Sequence, residues 1–178
     1  TLALPSLALA SAKRELLLRG EVIEEMLRPM SDVLDSPSEG QIAALRGLDD
    51  EVDRRHSDIK LFITALNRRD LGTEDAKRSI ELTDFAINLE HIGDIIAKTL
   101  LPLAEKKGAE NRRFSEEGWH EILELHARVL ANTQLAMNVL ISGDIASARH
   151  LMQEKEVMRR LERESHERHL ERLQRGNA

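Results

Sequence analysis

Residues 73–108 read TEDAKRSIELTDFAINLEHIGDIIAKTLLPLAEKKG. Leu82, Phe85, Leu89, Ile92, Ile96, Leu100 and Leu103 follow one another at steps of three and four. That spacing is one face of an α-helix and is incompatible with the two-residue period of a half-buried strand. Thr73 is the expected N-cap and Gly108 the expected stop. Moving outward, the same period recurs four more times. One helix is expected over about 5–34, carrying Leu7, Leu16, Ile23, Leu27, Met30 and Leu34, with Pro29 kinking or breaking it. A second is expected over about 40–68, with Leu45, Leu48, Val52, Ile59, Ile63 and Leu66 on its stripe. Ser115 caps a helix carrying Ile122, Leu125, Val129, Leu135 or Ala136, and Val139 or Leu140. After the break at Ser142-Gly143-Asp144 a last helix runs from about 145 to 175, through Leu151, Met152, Val157, Leu161, Leu170 and Leu173.

Composition agrees with an all-α antiparallel helical bundle. Ala, Glu, Lys, Leu and Arg make up 93 of the 178 residues, the balance found in long packed helices. Three Phe, one Trp and no Tyr leave few aromatic side chains for strands, and the absence of Cys removes disulfides, thiol catalysis and cysteine metal sites. The 26 basic and 32 acidic residues give a net charge of −6. With no basic face and almost no stacking platforms, nucleic acid is not an expected partner. No apolar run reaches the length of a membrane span. The opening TLALPSLALA lacks the basic segment of a secretory signal, and the chain reads as part of something longer.

Asp49-Asp50-Glu51-Val52-Asp53-Arg54-Arg55 matches Glu154-Lys155-Glu156-Val157-Met158-Arg159-Arg160 at an offset of 105, with four of seven positions identical. The helices and turns before each segment line up within two residues. Two units are therefore expected: residues 1–108 as a three-helix repeat and 109–178 as a second repeat lacking its third helix. The apolar sides of the last two helices would then seek cover, and a homodimer is expected.

Carboxylates carry the sharpest chemical signal. Glu90 and Asp94 are four apart and share a helix face, as do Asp49 and Asp53, with His56 and Lys60 continuing the second line. Like charges at this spacing repel. A bound cation would relieve the repulsion, and so would neutralisation by Lys60 and Lys98. Gly93 costs about 1 kcal/mol of helix propensity against Ala and permits close approach of another backbone or ligand. Oxygen-rich donors with an imidazole nearby suit Mg, Mn, Fe or Zn. Glu117 and His120 form a single Glu-x-x-His, whereas a di-iron bundle uses two. His166 and His169, at i,i+3, are a further possible zinc pair without an evident third ligand. No phosphate loop, nucleophile elbow or zinc-protease motif occurs, and no enzyme is expected.

The segment Leu89-Glu90-His91-Ile92-Gly93-Asp94-Ile95 resembles the E-x-x-x-D phrase of the PhoU family, and Asp49-Asp50-Glu51-Val52-Asp53 resembles the acidic run on that family's middle helix. Tandem three-helix repeats are also the family's architecture. The phrases LDDEVDRRHSDIK and EKEVMRRLERESHERHLERL carry a closer similarity to the cytoplasmic PhoU-like domain of bacterial Na/Pi-cotransporter proteins. The resemblance implies a regulatory domain of phosphate uptake on the cytoplasmic side of the bacterial inner membrane, fused to or docked on the transporter's membrane domain. It also implies a metal (Mg, Mn, Zn or Fe) on Glu90 and Asp94, with Asp49 and Asp53 as the middle-helix ligands. Asn88 stands where relatives often carry an acid, and Met158 stands at the repeat position of Asp53, so one mononuclear site is expected rather than a cluster. The other readings are a free-standing regulator of a phosphate ABC transporter and its sensor kinase, and a metal-dependent helical-bundle enzyme.

Overall fold

The computed structural model describes residues 5–111, 113–143 and 145–174; the side chains of 55, 56, 145, 158, 161, 162, 165, 166 and 168–174 are not described. Every element among the described residues is helical, and the chain divides into two units, 1–106 and 107–178.

The first unit holds α1 (Pro5–Leu27), α2 (Met30–Asp35), α3 (Glu39–Asn67), α4 (Thr73–Ile95), a π-turn (Ile96–Leu100) and most of α5 (Leu101–Glu110). Pro29 breaks the expected first helix, because its ring cannot continue the ladder of amide bonds. Ser38 caps α3, its hydroxyl accepting from the Gln41 amide. α4 starts differently from the sequence expectation. Gly72 is its N-cap and makes no side-chain bond, while Thr73 is already inside the helix. The stop also moves. The helix passes through Gly108 to Glu110, and Asn111 takes the left-handed conformation (φ 49°) that ends it.

α1, α3 and α4 pack on one another. α1 and α4 run parallel, since Ser6 donates to the Asp75 carboxylate at one end and Ile23 lies beside Gly93 at the other. α3 runs antiparallel to α4: Ser79 donates to Asn67 near their joining turn, and Arg46 pairs with Glu105 at the far end. The core between them is made by Leu16, Ile23, Met26 and Leu27 of α1, Ile63 and Leu66 of α3, and Leu82, Phe85 and Leu89 of α4. Leu7 is an exception among the expected core residues. It is 66% exposed, because Ala8, Leu9 and Ala12 hold the inward face of α1 there.

The π-turn interrupts what the sequence reads as one continuous third helix. Pro102 has no amide hydrogen to give the carbonyl four residues back. The Leu101 amide bonds instead to the Ile96 carbonyl, five residues back. This local shift brings Leu101 and Ala104 into the buried set.

The second unit is a hairpin of α6 (Glu116–Ser142) and α7 (Ile145–Gln174). Ser115 caps α6 by accepting from the Gly118 amide at 3.0 Å. Gly143 ends it at φ 65°, a conformation that favours glycine. Phe114 stacks on Trp119 with ring centroids 5.8 Å apart, and Lys107 sits over the Phe114 ring. Trp119 thus packs against the loop before α6. Burial here is shallower than in the first unit. Only Glu121, Thr133 and Leu140 of α6 are fully buried, and Met152, an expected core residue of the last helix, is 69% exposed. The expected core positions Leu161, Leu170 and Leu173 fall outside the described side chains.

Candidate functional site between α3 and α4

Asp49 lies on the α3 edge that faces α4, and it is 8% exposed. A β-carbon built on Gly93 would stand 3.8 Å from Asp49 Oδ1 and 3.5 Å from Ile23 Cδ1. Gly93, between Glu90 and Asp94, therefore faces both Ile23 of α1 and the Asp49 carboxylate of α3. Burial pushes Asp49 up to about 6, and the charges of Asp53, Asp50 and Asp94 push the same way. Arg46, one turn earlier on α3, opposes them. Asp49 makes no hydrogen bond or ion pair within 4 Å among the described residues.

The other expected ligands have basic neighbours. Lys60, on the Asp49–Asp53 edge of α3, reaches across to α4 and donates to Glu90 Oε2 at 2.8 Å. Lys98 approaches Asp94 Oδ1 at 3.5 Å from one turn further along the same helix. Asp49, Asp53 and Asp94 therefore share one electrostatic neighbourhood, while Glu90 is drawn to the Lys60 ammonium. Among the described residues no three Asp, Glu or His side chains converge on a point that could hold an ion. The π-turn begins two residues after Asp94, so the acidic face of α4 ends close to a change of helical register.

Two of these features carry a sequence signal that periodicity passes over. Pro102 marks the π-turn, and Arg46 stands three residues before Asp49 on the same helix side. Elsewhere, Glu117 and His120 are exposed, and His56, His166 and His169 fall outside the described side chains. In the second unit Arg128 donates to Glu154 at 3.0 Å, with His150 Nε2 3.6 Å from the same carboxylate.

Residues 16–100, which hold the acidic pair flanking a buried glycine and the acidic run on the neighbouring helix, match the model of one known family. That family is the PhoU domain. The matched segment runs from within α1 through α2, α3 and α4 to the end of the π-turn, and it contains Asp49, Asp53, Glu90 and Asp94. The chain as a whole is 39% identical over 174 residues to the "Putative inorganic phosphate export protein YjbB" of Salmonella typhimurium, and 35% identical over 173 residues to the protein of that name from Escherichia coli K12. Each alignment covers 97% of this chain and 32% of the relative, so the chain spans about a third of the length of the curated relatives it matches. No solved structure matches it at comparable stringency.

Proposed function

We propose that this chain is the regulatory PhoU-like domain of a sodium-dependent phosphate transporter. It would act at the cytoplasmic face of the membrane, coupling phosphate status to flux rather than catalysing a reaction. The observation that carries this reading is the identity over nearly the whole chain to proteins named for phosphate export, joined to the PhoU domain at residues 16–100. No helix of the described residues is long and apolar enough to cross a membrane. The relatives are about three times longer, which supports a transport part supplied outside this segment, fused to it or docked on it. The sequence resemblance points to uptake and the relatives' name to export, so a test must read both directions.

Within this reading the α3–α4 cleft is the cation-responsive element, with Asp49, Asp53, Glu90 and Asp94 as its donors. The donor atoms suit a hard cation, although no three of these side chains converge among the described residues. All are oxygens, Asp49 borders the cleft unpaired, and a magnesium-type ion keeps most of its waters and needs only one or two carboxylates. The ion would supply positive charge where these carboxylates repel one another. The experiment is radiolabelled phosphate flux, inward and outward, in cells carrying the parent protein with and without this segment. Removal should leave a transporter whose flux no longer responds to internal phosphate. An unchanged response would contradict the proposal.

A further inference from the structure

We propose that the outward face of α7 is a self-association surface, on which two copies of this chain pair antiparallel through ion pairs. Arg149, Glu156, Arg160 and Glu167 fall within about 40° of one line along the helix. All four side chains are exposed. The opposite side of α7 packs on α6: Leu151, Glu154 and Val157 are half-buried there, and Glu154 accepts from Arg128. Along the outward line the charges alternate in sign, and the step from Arg149 to Glu156 equals the step from Arg160 to Glu167. In an antiparallel pair Arg149 therefore comes level with the partner's Glu167 in the same register that sets Glu156 beside the partner's Arg160. Two-fold symmetry makes each of these contacts twice. A parallel pair in register would set every charge against its own copy.

The charge pattern selects the occupant. A uniformly acidic or basic partner, or an anionic lipid surface, would meet half of these charges with like sign. A second copy, reversed, meets all four with opposite sign. Within the chain Glu156 pairs with Arg159 three residues on, but those side chains are 69% and 68% exposed, so that contact is weak and readily exchanged. Met152 lies one turn before Glu156 on the same face and is 69% exposed. Against a second α7 it would be covered by the aliphatic stems of the partner's arginines. The homodimer expected from the sequence thus forms on the charged face of α7, not on its apolar side. The surface is independent of the α3–α4 cleft.

The test is sedimentation equilibrium of the chain up to millimolar concentration in low salt. The wild type should dimerise, and added NaCl should weaken the dimer because exposed pairs are screened. Glu156→Lys/Glu167→Lys makes the line all basic, and Arg149→Glu/Arg160→Glu makes it all acidic. Each variant alone should be monomeric, and an equimolar mixture of the two should recover a heterodimer. That recovery also shows that both variants are folded. The milder Glu156→Gln/Arg160→Gln removes the central contacts and should weaken association by about tenfold; it keeps the test open if a charge reversal impairs folding. A wild type that stays monomeric would overturn the proposal. So would charge-reversed variants that dimerise as the wild type does, or folded variants whose mixture stays monomeric.

Discussion

The two units treat two acids from matching sequence segments in opposite ways. At the 105-residue offset Asp49 corresponds to Glu154, and Ile23 of α1 corresponds to Arg128 of α6. In the hairpin the arginine bonds the acid at 3.0 Å. In the PhoU unit the matching position is an isoleucine, which lies with Asp49 against Gly93, and the carboxylate is pushed up to about 6 by burial and by three neighbouring acids. The difference separates a position that serves packing from one kept electrostatically unsettled. A buried acid surrounded by like charge costs stability, and the deep core of the first unit offsets that cost.

The largest effect that can break this comparison lies in the cores. Ile23→Ala removes side-chain volume from a site with 0% exposure and should cost about 2–4 kcal/mol. Val129→Ala in the half-buried face of α6 should cost less than about 1 kcal/mol. Denaturant unfolding of each variant checks the pair, and equal losses would mean that the two units are equally packed.

Asp49 comes next. Its folded-state value near 6 lies above the ordinary 3.8, so the folded chain holds this proton more tightly than the unfolded chain. The group's stabilising effect is complete below about pH 3.8 and is lost as pH rises through 6. Asp49→Asn should remove that dependence and stabilise the chain at pH 7.5 by up to about 3 kcal/mol. Melting midpoints of both proteins from pH 4 to 8 show whether the curves converge at low pH, as expected, or run parallel.

Arg128→Ala gives the mirror measurement. It should destabilise the second unit by about 1 kcal/mol, since the Arg128 side chain is 41% exposed. The expected change on thermal melting is a small drop; a large drop would mean that Glu154 depends on this arginine as a buried acid would.

Gly93→Ala sharpens the comparison at its smallest scale. The added methyl would meet Ile23 and Asp49 at ordinary contact distances, 3.5 and 3.8 Å. Stability should hold or rise by about 1 kcal/mol from helix propensity. A marked loss would show that the three helices approach more tightly at Gly93 than these distances allow.

The helices were legible because their apolar period is long and unbroken: Leu82, Phe85 and Leu89 lie where the stripe placed them. Their ends were less legible, because caps depend on backbone conformation. Gly72 replaces Thr73 as the cap, and Asn111 replaces Gly108 as the stop, since either residue type can serve. Leu7 and Met152 carry the right period at positions where a neighbouring residue takes the inward face or the partner helix gives little cover. At the site, the i,i+4 acid pairs and the PhoU phrase are sequence features. What spacing could not reveal is that burial falls on Asp49 and not on Glu90, because that depends on where Gly93 lets three helices meet.

The central claim is that a cation-responsive carboxylate cleft lies in the PhoU unit and has no counterpart in the α6–α7 hairpin. Hydrogen exchange of the chain with and without saturating Mn2+ tests it most directly. Binding at a hundredfold excess over the dissociation constant stabilises the folded state by about 2.7 kcal/mol. The account predicts slower exchange in α3 and α4 and none of that gain in α6 or α7. Exchange unchanged throughout, or slowed equally in both units, would contradict it.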